Sequence, residues 1–152
     1  IFGGAGDDKL NGGLGADSID AGAGTDTIFG GWGDDTIDGG AGIDLLTFDS
    51  ALNTRPGEMP RTKGVFVEFM ALDEQSFSLF ARNLNDPIQI GHQTLLNVEA
   101  VGLTPNADTV VFVDDALSSK LTVNLGLNGG GGRDLVDFSD VNFGVRYDNG
   151  SI

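Results

Sequence analysis

The chain has 152 residues, with no Cys, 25 Gly and 39% hydrophobic residues, and its 23 acidic against 8 basic residues leave a net charge of −15. This composition excludes disulfide bracing and thiolate metal sites, allows only a thin apolar core, and turns the chain away from nucleic acid and anionic membranes and toward cations. No apolar run approaches the roughly 20 residues of a membrane-spanning helix.

In chain order, Ile1-Phe2 opens the sequence without an initiator Met and reads as the tail of a preceding repeat, as expected of a segment excised or processed from a longer protein. A period of nine then runs without a slip. Its copies are GGAGDDKLN (Gly3 to Asn11), GGLGADSID (Gly12 to Asp20), AGAGTDTIF (Ala21 to Phe29), GGWGDDTID (Gly30 to Asp38) and GGAGIDLLT (Gly39 to Thr47). Position six is always Asp (Asp8, Asp17, Asp26, Asp35, Asp44), and position eight is always Leu or Ile (Leu10, Ile19, Ile28, Ile37, Leu46).

Residues 48–128 lose the period and carry β-type runs at Val65 to Leu72, Ser76 to Phe80, Thr94 to Val101, Asp108 to Val113 and Lys120 to Leu125, with no competing helix pattern. Within them, Asn53 to Lys63 combines Arg55, Arg61 and Lys63 with Pro56, Gly57 and Pro60, which predicts an exposed loop. The period returns as a weak copy, Leu103 to Val111, which keeps Asp108 and Val110, and as GGGGRDLVD, Gly129 to Asp137, with Asp134 and Val136. GIDLLTFDSA leading to GVFVEF is echoed by GRDLVDFSDV leading to GVRYDNG, so the array is expected to continue past Ile152. The expected organisation is a tandem block over 1–47, a degenerate β-rich extension over 48–128, and a further repeat opening the next unit over 129–152.

The spacing has a physical reading. GGxGxD suits a tight turn, because Gly accepts positive φ and close backbone approach, and the remaining three residues suit a short strand. Two repeats per coil would stack repeat n on n+2, setting Asp8 under Asp26, Asp17 under Asp35 and Asp26 under Asp44. Strands stack about 4.8 Å apart, so paired carboxylates would repel unless an ion lay midway. Half that spacing, about 2.4 Å, falls inside the roughly 2.3–2.6 Å of calcium–oxygen bonds and exceeds the roughly 2.0–2.1 Å that magnesium prefers. Candidate ligands are therefore the side chains of Asp8, Asp17, Asp26, Asp35, Asp44 and Asp134. Turn carbonyls complete the six- to eight-fold coordination of calcium, with Gly3, Ala5, Gly12, Leu14, Gly22, Gly24, Gly31 and Gly33 as candidates. One inward apolar residue per repeat is little driving force for so much ordering, so ion binding is expected to switch folding.

These residues resemble the RTX, or hemolysin-type, calcium-binding nonapeptide GGxGxDxUx, closely over 3–47 and well over 129–137. The resemblance implies an all-β fold, a parallel β-roll continuing into an irregular β-helix-like region. It also implies Ca2+ held between turns by the position-six Asp and turn carbonyls, type I secretion, and an extracellular or bacterial cell-surface location. Ala21 replaces the first Gly of its repeat, which is tolerable where φ is negative.

Other residues read more plainly. His92 lacks triad partners and is expected in a loop or on the surface. Asp73-Glu74 and Asp114-Asp115 read as exposed turns, and Trp32 as packing on a neighbouring turn or on the inserted segment. The acids at positions five and nine (Asp7, Asp34, Asp20, Asp38) read as surface charge, and the single Asp86-Pro87 as carrying no chemistry. No enzyme is expected. The chain reads as a calcium-triggered structural module of a secreted or surface adhesin or structural protein. The alternatives are an accessory module of a secreted protease, lipase or polysaccharide epimerase, and a docking subunit whose flanking domains or Arg55–Lys63 loop meet a partner.

Overall fold

The computed structural model describes residues 1–48, 64–72, 76–83, 89–113 and 126–140. The loop expected at 53–63, the run at 120–125, the second GVRYDNG and the pairs Asp73-Glu74, Asp86-Pro87 and Asp114-Asp115 lie outside the described residues. The fold is all-β, and no helix occurs among the described residues.

Each tandem repeat folds as a turn followed by a short strand. The strands are β1 (Phe2–Ala5), β2 (Lys9–Asn11), β3 (Ser18–Gly24), β4 (Thr27–Phe29), β5 (Asp35–Asp38), β6 (Ala41–Gly42) and β7 (Leu45–Thr47). Consecutive repeats fall on opposite sheets, so repeats eighteen residues apart pair in parallel: Ile19 faces Ile37 across β3 and β5, and Leu10 faces Ile28 across β2 and β4. This is the two-repeat coil of a β-roll.

Beyond Thr47 the chain adds β8 (Val65–Ala71), β9 (Ser76–Asn83), β10 (Gln89–Leu96), β11 (Ala100–Gly102), β12 (Thr109–Val113), β13 (Gly126–Asn128) and β14 (Leu135–Asp140). One sheet runs β1-β3-β5-β10-β9-β8-β12-β14, and the other runs β13-β11-β7-β4-β2. The roll therefore continues: β10 lies parallel on β5, and β11 lies parallel on β7. The irregularity is an antiparallel meander, β8–β9–β10, which puts two strands into the first sheet with no counterpart in the second among the described residues.

The core follows the position-eight residues. One ladder is Ile19–Ile37–Leu95; the other is Leu10–Ile28–Leu46–Val101–Leu127. Ile28, Ile37, Leu95 and Val101 are fully buried, and Leu10 and Leu127, nearer the ends, only partly so. The meander adds Val65, Val67, Phe69, Phe77, Leu79 and Ala81 to the same core by strict alternation, period two, along its strands. The run expected as one strand, Thr94 to Val101, is split between two sheets. It turns at Asn97, whose φ of 50° makes it the one non-Gly residue with positive φ among the described residues.

Candidate metal centre

The turns stack along two edges of the roll. On one edge lie Gly3 to Asp8, Ala21 to Asp26 and Gly39 to Asp44; on the other lie Gly12 to Asp17 and Gly30 to Asp35. At the second and fourth turn positions φ is positive, as at Gly22 (106°) and Gly31 (102°). At both, a side chain would also strike backbone of the coil below, at Gly4 and Gly13. Ala21 lies at a first position, outside that left-handed set.

The position-six carboxylates clamp the coils together. Asp8 N–H donates to Asp26 Oδ1 (2.8 Å), Asp26 N–H to Asp44 Oδ1 (2.9 Å), and Asp17 N–H to Asp35 Oδ1 (3.0 Å). In return Thr27 N–H donates to Asp8 O, Leu45 N–H to Asp26 O and Thr36 N–H to Asp17 O, each at 2.9 Å. One oxygen of each upper carboxylate is thus spent on the fold.

At Asp35 the other oxygen accepts from Gln93 Nε2; at Asp26 and Asp44 it is left over. Oδ2 of Asp8, Asp17, Asp26 and Asp44 is buried and accepts no hydrogen bond. A buried acceptor without a donor is costly, and for a carboxylate more so. These oxygens share their surroundings with carbonyls. The space beside Gly3 is bounded by Asp8 Oδ2 and Ala21 O, and that beside Gly12 by Asp17 Oδ2 and Gly30 O. Beside Gly39 the boundary is Asp44 Oδ2 and Asn97 O. Hard anionic and carbonyl oxygens with no competing donor are the donor set of calcium, so the residues fit the ion. Among the described residues no three His, Cys, Asp or Glu side chains converge.

The other expected ligands stand as follows. Gly3, Ala5, Gly12, Leu14, Gly22, Gly24, Gly31 and Gly33 all lie in the stacked turns, through pairings such as Ala5 with Ala23 and Leu14 with Trp32. The carbonyls of Gly22 and Gly24 face Gly40 and Gly42 of the next coil, and Gly33 O accepts from Gln93 Nε2 at 3.2 Å. Asp134 is exposed, and its Oδ1 accepts Asp108 N–H (3.0 Å), so its stacked partner is the Asp of the weak copy. Asp108 itself is buried, but it is satisfied by Val65 N–H, Thr104 N–H and the Thr104 hydroxyl.

Burial pushes the carboxyls of Asp35, Asp44 and Asp108 above the ordinary carboxylate range. At Asp35 the Gln93 hydrogen bond pulls the other way, and at Asp44 the Asp26 N–H does so. Neighbouring acids add to the upward push at each.

Several residues were not picked out by sequence reasoning. Glu99 Oε2 accepts Asp44 N–H (2.8 Å), and Gln93 Nε2 donates to Asp35 Oδ2 (2.8 Å). A signal existed. Glu99-x-Val101 and Gln93-x-Leu95 repeat the spacing of Asp44-x-Leu46 and Asp35-x-Ile37. The position-five acids also bridge coils, since Asp7 accepts Thr25 N–H and Asp34 accepts His92 N–H. At position nine Asp38 accepts Asn97 Nδ2. His92 is exposed and lies against Phe80 at 4.8 Å, and Trp32 is buried in its turn.

The family model of the RTX calcium-binding nonapeptide repeat matches residues 1–19 and 11–46, in four copies. No curated protein matches the chain.

Proposed function

We propose, from the premise that residues 1–46 are RTX calcium-binding nonapeptide repeats, that this chain is a module that folds on binding calcium outside the cell, within a secreted or surface adhesin or structural protein. That repeat is a structural calcium-binding unit rather than a catalytic one. The observation that carries the reading is the set of four buried, unpartnered Oδ2 atoms on Asp8, Asp17, Asp26 and Asp44. Together with Asp35, these side chains and the adjoining turn carbonyls are the proposed ligands, with Asp134 extending the set where it stacks on Asp108.

The residues account for a switch. Without a cation, closing the coils buries carboxylates beside one another and leaves an acceptor on each without a donor, which opposes folding. Bound calcium supplies the positive charge and coordination that these oxygens lack. The chain's own contribution is to hold Oδ1 of Asp26, Asp35 and Asp44 in inter-coil hydrogen bonds, which fixes Oδ2 of the same carboxylates in place. A chain kept unfolded where calcium is scarce and folded where it is abundant suits export before folding.

Two further readings remain proposals: an accessory module of a secreted enzyme whose active site lies elsewhere, and a docking subunit of a larger complex. Far-UV circular dichroism during a calcium titration, with magnesium as control, tests the main reading. A cooperative, calcium-specific gain of β signal is expected. A spectrum indifferent to chelator, together with no bound calcium, would overturn it.

A further inference from the structure

The fourth coil of the roll is built from residues outside the tandem repeats, and it caps the two edges differently. On the first edge the cap is Glu99. Asp44 N–H donates to Glu99 Oε2 (2.8 Å) and Ala100 N–H donates to Asp44 O (3.0 Å). This is the same two-bond clamp that joins Asp8 to Asp26 and Asp26 to Asp44, although 55 residues now separate the partners. Asp44 is wholly buried, and its Oδ2, without a donor, sits beside Gly39 with Asn97 O across from it. Each element of the tandem pairs is present: two stacked carboxylates, an orphaned inner oxygen and a carbonyl from the coil above.

On the second edge the cap is Gln93. It occupies the register position above Asp35, as Asp35 does above Asp17. Here Asp35 Oδ2 is not orphaned, because Gln93 Nε2 donates to it at 2.8 Å and also to Gly33 O at 3.2 Å. The carboxamide hydrogens take up both a carboxylate oxygen and a turn carbonyl, two groups that a cation would otherwise draw in. What stays without a donor beside Gly30 is the neutral Gln93 Oε1, which costs less to leave unpaired than a carboxylate oxygen.

We infer that coil four decides where the calcium ladder ends: Glu99 with Asp44 forms a further calcium site on one edge, while Gln93 closes Asp35 without an ion on the other. This rests on the calcium reading of the tandem edges. The ladder is thereby longer on one edge, and the link from β10 to β11 is tied to the repeat block by an ion as well as by β10 on β5.

The test counts ions bound to the full chain by native mass spectrometry at saturating calcium, with far-UV circular dichroism to check the fold. E99Q keeps an acceptor for Asp44 N–H and removes the charge, and is expected to bind one ion fewer than the unaltered chain. Q93E puts a carboxylate over Asp35 and is expected to bind one more. An unchanged count in folded E99Q overturns the inference. Should E99Q stay unfolded in calcium, the Q93E count decides, and no added ion overturns it. An unaltered chain that binds no calcium would instead sink the reading of the tandem edges.

Discussion

Asp26 sits between Asp8 and Asp44 on its turn edge. It accepts from Asp8 below and donates to Asp44 above, so two stacked pairs share it. Asp8 belongs to one. D26N should therefore raise the calcium concentration at the folding midpoint more than D8N. Loss of one charge-assisted contact, worth roughly 1.5–3 kcal/mol, corresponds to about tenfold or more. Calcium titrations of the two variants by circular dichroism check the order. Three buried carboxylates bear on the pH response of the calcium-free chain. Asp35, Asp44 and Asp108 have folded-state values raised by burial, so the folded form binds protons more tightly than the unfolded form. Their protonation favours the fold at low pH, and that contribution is lost as pH rises through the raised values. In chelator, β content should be higher near about pH 4 than near about pH 7, whereas with calcium present protons compete for the ligands and the trend reverses. Circular dichroism across pH with and without chelator measures this.

Among the elements, the position-eight ladders carry the packing, and burial grades their members. Ile37 lies between Ile19 and Leu95 and is fully buried, while Val136, at the outer strand β14, is 38% exposed. I37A should cost about 2–5 kcal/mol, as deletion of a buried aliphatic side chain does, and V136A much less; urea unfolding in saturating calcium gives both values. At the turn between β10 and β11, Asn97 combines positive φ with a hydrogen bond to Asp38. N97A should lose about 1–2 kcal/mol, from strain in the left-handed region and from the missing bond. These elements differ in legibility. The β-type runs Val65 to Leu72 and Ser76 to Phe80 are plain in the sequence, and strands β8 and β9 form on them. The break inside Thr94 to Val101 is not, because a β-type composition on both sides of Asn97 leaves only one residue to mark the corner.

At the scale of the whole molecule, two kinds of cohesion share one core. The repeat block closes by stacking charged, glycine-rich turns, while the meander closes by antiparallel pairing and larger apolar side chains. Removing calcium should therefore act unevenly. Hydrogen exchange in chelator should release the amides of Gly6, Asp8, Gly12 and Asp26, on the turn edges, before those of β8 and β9. Uniform release across both regions would count against a division of this kind.

The tandem coils, the stacking of Asp8 on Asp26 and Asp17 on Asp35, and the inward Leu and Ile were legible from the sequence alone. A strict period makes every repeat meet its neighbour in one register, so local pattern and long-range contact coincide. Only the tertiary structure decided what caps those coils. Glu99 and Gln93 lie 55 and 58 residues from the aspartates they meet, and where an insertion rejoins a sheet is set by packing of its apolar faces, which no fixed spacing records.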